Sequence, residues 1–293
     1  MRRITTVPRY CGAALHSAAL LLRLTKGIMY FAVFRIRFIN ALQYRAAALA
    51  GVSTQFAWGF MEIFAFSAFY RSNPAAFPME FSHTVSYIWL QQAFLALFML
   101  WFWENDISES ITTGSIAYEL VRPVDLYGRW YCQAAANRLA RAALRCSPIL
   151  VIAFILPEPY RMTLPPDPAT LLLFLISAAF ALCVVVAFSM LIYISLFYTL
   201  SSTGVRALLG TLSDFLSGAV VPLPFFPTKI LAVVNLLPFA AMQNMPLRIY
   251  SGDIAGADAY RGIAFQAAWL AALLLIGRIA IGRALKKVVA QGG

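Results

Sequence analysis

Long apolar stretches separated by short polar ones dominate this chain of 293 residues. A helix needs about 20 mostly apolar residues to cross a hydrocarbon layer, and without water its backbone groups must bond within the segment. The stretches that meet this length are residues 46–69, 84–103, 137–157, 169–199, 205–222 and 262–282. The pattern therefore predicts an all-α integral membrane protein with six transmembrane helices.

Another apolar stretch lies before the first span, but polar side chains interrupt it. Residues 27–45, "GIMYFAVFRIRFINALQYR", include Arg35, Arg37 and Asn40. Long arginine side chains lie along apolar surface while their charged ends reach water, so we predict an elbow helix in the membrane interface. The expected division of the chain is an N-terminal extension (1–26), the elbow helix (27–45), a transmembrane domain (46–285) and a cytoplasmic tail (286–293).

Composition and charge agree with a membrane location. The chain is 61% hydrophobic and 12% charged, whereas typical soluble domains are about 25% charged. Loops rich in Lys and Arg stay in the cytoplasm, and with both termini inside, few of the 23 basic residues fall outside. Those few are Arg71, Arg161, Lys229, Arg248 and Arg261. Topology thus accounts for the net charge of +11, and we expect a cytoplasmic-membrane protein that contacts lipid and binds no nucleic acid.

One polar segment, "ENDISESITTGSIAYELVRPVDLY" (residues 104–127), separates the second and third spans on the predicted cytoplasmic side. The short helix predicted here involves Asp106, Ile107, Ser108, Glu109, Ile111 and Gly114. The spacing of its two acidic residues is that of a capping box with Asp as the cap, its two isoleucines share one face, and its glycine suits a left-handed stop. So short a helix needs tertiary support. Its apolar face is therefore expected to rest on its own bundle or on another protein.

A second irregular region, residues 216–253, follows the fifth span. Prolines are predicted to end that span, and a later pair to stop the apolar piece of about a dozen residues that follows. The residues assigned to this feature are Pro222, Phe226, Pro227 and Pro238, with Pro224 and Pro246 as further stops. The piece is too short to cross, so we predict a re-entrant or interfacial hairpin on the outer side with a short helix near 228–237.

Few polar residues lie within the predicted spans. Glu62 and Asp214 are the intramembrane carboxylates, and such groups usually face a bundle interior or a water-filled cavity. Each is interpreted as a substrate or proton site, as a structural hydrogen-bonding group, or as a group that simply lies near the end of a span. Arg138, Arg141 and Arg145 share one face of the third span. They are expected to receive an anionic lipid or substrate, or to extend to the headgroups.

No catalytic or metal site is predicted. Cys11, Cys132, Cys146 and Cys183 have no metal-ligand spacing, and His16 and His83 form no HExxH motif. The chain also lacks the GxxxxGK[ST] phosphate loop, so hydrolysis of ATP in that manner would require another polypeptide.

Four short stretches resemble the membrane subunits of type-2 ABC exporters: "QYR", "ISESITTGSIAYELVRPVDLY", "SGAVVPLPFFP" and "LPF". The likeness covers about residues 28–285 and is greatest for the subgroup with an L-x-RP signature, here Leu120, Arg122 and Pro123, followed by Asp125. Arg122 is expected to pair with Asp125 or Glu119, or to shape the turn.

The resemblance implies a bacterial inner-membrane permease that moves drugs, lipids, glycans or peptides outward. It also implies that the short cytoplasmic helix couples to a separate ABC ATPase, which binds ATP and Mg in place of this chain. A second permease, identical or related, would complete the pathway.

Two other function classes compete with this interpretation. A membrane enzyme acting on lipid-linked substrates would need a convergent set of His, Asp, Ser or carboxylate groups on one membrane face. An ion-coupled secondary transporter would need inverted repeats with helices broken near the bilayer midplane. The only break apparent in this sequence is at the outer edge, near residues 222–227.

Overall fold

The computed structural model describes residues 27–199 and 202–287, and helices connected by turns account for its regular structure, with no strand in these ranges. The all-α prediction is confirmed. Two of the described helices, Pro168–Thr199 and Gly256–Ala284, are long and apolar enough to cross a membrane by length and composition. The predicted extension, 1–26, and most of the predicted tail lie outside the described residues.

Twelve helices occur in the described ranges. The first six are α1 (27–42), α2 (Arg45–Ser72), α3 (Phe81–Ala93), α4 (Leu95–Phe98), α5 (Asn105–Thr112) and α6 (Ile116–Leu120). The others are α7 (Leu126–Ile155), α8 (Pro168–Thr199), α9 (Ser202–Leu216), α10 (Thr228–Val234), α11 (Asn244–Ser251) and α12 (Gly256–Ala284). Short 3-10 turns occur at Pro74–Ala76, Leu223–Phe225 and Leu285–Lys287.

A helix or helix pair lies at each of the six predicted spans, but several limits differ from the prediction. The second stretch is not continuous, because α3 ends at Ala93 and α4 ends at Phe98, after which Met99 is extended (φ −77°, ψ 135°). The helix of the third predicted span, α7, begins earlier than predicted. The Asp125 carboxylate caps its start by accepting a 2.8 Å hydrogen bond from the backbone N–H of Gly128.

The helix of the fifth predicted span, α9, ends before the prolines that were predicted to end it. Helix α9 stops at Leu216, ahead of Pro222, because Gly218 takes a left-handed conformation (φ 84°) that only glycine adopts freely. Pro246 does not stop a helix either, as it lies in the first turn of α11, where the missing N–H costs nothing.

Helix α8 is the central element of the bundle. It packs against α12, α11, α7 and α5, and it contributes to both large cores. The first core contains Trp130 and Tyr193, and the second surrounds Trp89 and includes Phe174. This arrangement places the segment that follows α4 directly against the bundle.

Candidate functional site

The polar segment 104–127 forms two short helices, α5 and α6, joined by a turn at Gly114. The predicted left-handed stop is confirmed, since Gly114 has a φ of 75°. The predicted capping box is wrong. Glu104 occupies the cap position without a side-chain cap bond, and Asp106 instead pairs with Arg37 of α1 at 2.7 Å. The segment is therefore tied to α1 by an ion pair.

Buried side chains hold this segment to its own bundle. Ile107 is 1% exposed and lies in the first core together with Ile116 and Tyr193. Trp103 Nε1 also donates a 3.0 Å hydrogen bond to Ser108 Oγ. The expectation that Ile107 presses on a partner protein is thus corrected, because burial within the chain leaves it no free surface. Ile111 is partly buried beside the same core.

The apolar surface that remains free lies on and just after α6. Tyr118 is 78% exposed and Val121 is 82% exposed, with Leu120 exposed beside them. The sequence analysis did not single out Tyr118 and Val121, although they are three residues apart, a spacing that places two side chains on one helix face. We call Tyr118, Leu120, Val121 and Arg122 the α6 surface.

The L-x-RP loop leaves its arginine unpaired within the described part of the chain. Asp125 pairs with Arg278 at 3.2 Å in addition to capping α7. Glu119 pairs with Arg129 and accepts a 2.8 Å hydrogen bond from the indole N–H of α7's Trp130. Both carboxylates considered as partners for Arg122 are therefore occupied elsewhere. Arg122 and Pro123 are exposed at the edge of the α6 surface.

Glu104 joins the start of the segment to the bundle. Its backbone N–H donates to the Tyr193 hydroxyl at 2.7 Å, and its side chain accepts a 2.5 Å hydrogen bond from Asn137 Nδ2. Arg141 lies 3.7 Å from the other carboxylate oxygen. Burial raises the pKa of Glu104 above its usual range, and the nearby Arg141 acts in the opposite direction.

The three arginines of α7 have different environments. Arg138 is 1% exposed and donates to the backbone oxygens of Met99 (2.6 Å) and Phe102 (3.2 Å). The expectation that Arg138 extends to the headgroups is wrong, because these carbonyls of the non-helical segment after α4 hold it inside. The guanidinium groups of Arg141 and Arg145 lie over the Phe102 ring, with Cζ 5.6 and 5.7 Å from its centroid.

Glu62 belongs to a polar network that reaches the chain between α9 and α11. Its carboxylate accepts a 3.1 Å hydrogen bond from Gln91 Nε2, which also donates to the backbone oxygen of Ala219 at 2.9 Å. Gln243 Nε2 donates in turn to Gln91 Oε1 at 3.1 Å. The structural hydrogen bond considered for Glu62 is therefore present.

Asp214 has a different setting. It is half-buried on α9 and lines a cleft of about 330 Å³ together with Trp101, Arg206 and Gly210. Within this chain the carboxylate thus faces a cleft instead of the packed core.

The region predicted to form a hairpin contains the short helices α10 and α11 instead of one continuous helix. Pro227 occupies the cap position of α10, which has seven residues and is too short to span. Pro222 and Pro238 are buried, and Phe226 packs on a small core of Leu223, Val234 and Ala240. The hairpin is therefore anchored to the protein at several points.

A family model described as "ABC-2 family transporter protein" matches residues 56–292. No curated protein and no solved structure matches the chain.

Proposed function

Because the chain belongs to the ABC-2 family of transporter proteins, we propose that it is the permease subunit of an exporter driven by a separate ABC ATPase. In this proposal the permease forms the substrate pathway, and the partner ATPase binds ATP and Mg. The membrane-protein character of the chain and its resemblance to type-2 ABC permeases agree with the family match.

One observation supports the proposed coupling. The α6 surface is exposed and apolar, while other side chains of the same segment are buried in the bundle. Tyr118 and Val121 are mostly exposed, while Ile107 and Ile116 are both 1% exposed in the first core. A force applied to α6 would therefore reach α7 and α8 through packed side chains. Exposed aromatic and aliphatic groups rimmed by polar residues are typical of protein docking sites.

The proposed topology has six crossings in a bacterial inner membrane, with both termini in the cytoplasm. Helices α2, α3 with α4, α7, α8, α9 and α12 would be the crossings, and the hairpin of α10 and α11 would stay on the outer side. This arrangement keeps most basic residues inside. It puts the α6 surface on the cytoplasmic side, where a soluble ATPase can reach it.

A second permease, identical or related, is proposed to complete the pathway. Asp214 faces an open cleft on α9, and α9 also exposes Leu208, Leu212 and Phe215. A carboxylate facing lipid within the hydrocarbon layer is costly, so such groups face protein or water. A second protomer packed on α9 would cover it.

The coupling proposal is tested with Tyr118→Asp combined with Val121→Asp. Burying each apolar side chain at an interface contributes about 1.5 to 3 kcal/mol, so the double variant should reduce ATPase co-purification by at least about tenfold. Export and stimulated ATP hydrolysis should fall with it. Membrane insertion should be normal, because both side chains are exposed in this chain.

Two further variants make this result specific. Leu164→Asp, which changes a residue that is 75% exposed on the predicted outer side, should leave co-purification unchanged. Ile107→Asp should instead lower the amount of folded protein, because it places a charge in the first core. Normal ATPase binding and export by the double variant would contradict the assignment of the α6 surface.

A further inference from the structure

A pocket of about 540 Å³ lies between the elbow helix and the bundle. The elbow helix α1, the start of α2, the beginning of α5 and the middle of α7 form its walls. The charged side chains that line it are Arg37, Glu104, Asp106, Arg141 and Arg145, and its apolar lining includes Ala41 and Phe102.

The arginine side chains that line the pocket outnumber its carboxylates. Asp106 is occupied by Arg37 at 2.7 Å, and Glu104 lies 3.7 Å from Arg141. Arg145 has no ion pair in the described residues, and its buried Nε atom has no hydrogen-bond partner. The pocket therefore contains one guanidinium whose charge is unpaired.

Neighbouring groups hold that guanidinium in place. Arg141 and Arg145 both lie over the Phe102 ring, so two like charges are kept close together. The guanidinium of Arg145 also packs on the backbone of α2 at Gly51, where a Cβ would lie 2.9 Å from its Cζ. Two adjacent, fixed guanidinium groups match the oxygens of a tetrahedral anion, since each can donate two parallel hydrogen bonds.

We propose that this pocket binds a phosphate group, and specifically the headgroup phosphate of an anionic phospholipid, between Arg141 and Arg145. The elbow helix supports the lipid as the source. Ile28 and Phe31 of α1 are each 68% exposed, whereas Arg37 of the same helix points to the pocket. A helix whose uncovered face is mainly apolar, with the long side chain of exposed Arg35 extending from that face, fits the membrane interface, where phospholipid phosphates lie.

The test is lipid-dependent thermal stabilisation of the purified full-length chain in mild detergent. Dioleoyl phosphatidylglycerol should raise the unfolding midpoint in a saturable manner, and dioleoyl phosphatidylcholine should have a smaller effect. Arg145→Gln should weaken the apparent affinity for phosphatidylglycerol about tenfold, the effect of losing a hydrogen-bonded charge partner. Arg283→Gln, which removes an exposed charge outside the pocket, should match the unmodified chain.

Ala41→Phe provides a second variant in which every charge is retained. The larger side chain should fill part of the pocket and abolish the selective stabilisation by phosphatidylglycerol. The proposal can therefore still be tested if Arg145→Gln fails to fold. Unchanged phosphatidylglycerol affinity in either folded variant would overturn the proposal. If inorganic phosphate stabilised the chain as much as phosphatidylglycerol, and both pocket variants abolished that effect, the lipid assignment would be overturned. The pocket would then be a site for a free anion.

Discussion

At the residue scale, a buried cation explains how the second stretch of helix ends. The final carbonyl groups of a helix have no partner within it, and Arg138 Nη1 lies 3.5 Å from the backbone oxygens of Ala96 and Leu97 in α4. The same guanidinium donates to the oxygens of Met99 and Phe102 beyond α4, and to Ser189 Oγ at 3.3 Å. Its charge lies near the carbonyl end of α4, where the helix dipole favours a cation. One side chain thus joins α4, α7 and α8.

Arg138→Leu should accordingly destabilise the protein by about 3 kcal/mol, because buried carbonyls would lose their donor. Arg138→Lys should retain part of the stability, since an ammonium group keeps the charge but not the forked geometry. The measurement is the midpoint of thermal unfolding in detergent. Arg161→Leu, at an arginine whose side chain is half exposed, is the control and should have little effect. Equal midpoints for Arg138→Leu and the control would refute this role.

At the scale of elements, two glycines end helices in the same backbone conformation but in different surroundings. Gly114 has open space where a Cβ would lie. At Gly218 a Cβ would approach the Tyr87 hydroxyl to 2.6 Å, and that hydroxyl donates to the Gly218 carbonyl at 3.0 Å. The first glycine serves only the turn, whereas the second also allows α3 to approach the chain that follows α9.

This difference predicts unequal costs of substitution. Gly114→Ala should cost about 1 kcal/mol for the left-handed backbone alone, and Gly218→Ala should cost clearly more. Adding Tyr87→Phe removes the clashing oxygen. In a double-mutant cycle, Gly218→Ala and Tyr87→Phe together should therefore destabilise the protein by less than the sum of their separate effects. Comparable unfolding midpoints for the two alanine variants would argue against the close approach.

At the scale of the whole molecule, the short polar segment and the outer hairpin are predicted to lie at opposite ends of the bundle. The first includes exposed Val121, and the second includes exposed Lys229; Asp258 is exposed at the start of α12, on the side predicted to be outer. Opposite ends imply opposite sides of the membrane if the proposed topology is correct.

Single cysteines at these positions test that topology after the four native cysteines are replaced. Lys229→Cys and Asp258→Cys should react with an impermeant thiol reagent in intact cells. Val121→Cys should react only after lysis. Labelling of Val121→Cys in intact cells, or of Lys229→Cys only after lysis, would invert the orientation and exclude a cytoplasmic α6 surface.

Much of the architecture could be predicted from hydrophobic pattern. An apolar run long enough to cross a membrane must satisfy its backbone internally, so helical structure and the approximate positions of α2, α7, α8 and α12 follow from local sequence. Gly114 and the cap residue of α10, Pro227, also act locally, through the backbone angles that each allows.

Tertiary structure alone decided which surfaces are free. Ile107 and Val121 are both apolar residues in one polar segment, yet Ile107 packs beside Tyr193 and Val121 is exposed. Arg37 likewise finds Asp106 across 69 residues of sequence. The periodicity of apolar residues in the sequence indicates which side chains share a helix face, because residues three or four positions apart lie on the same face. Whether the face is buried depends on contacts with distant segments, and those exist only once the helices have packed.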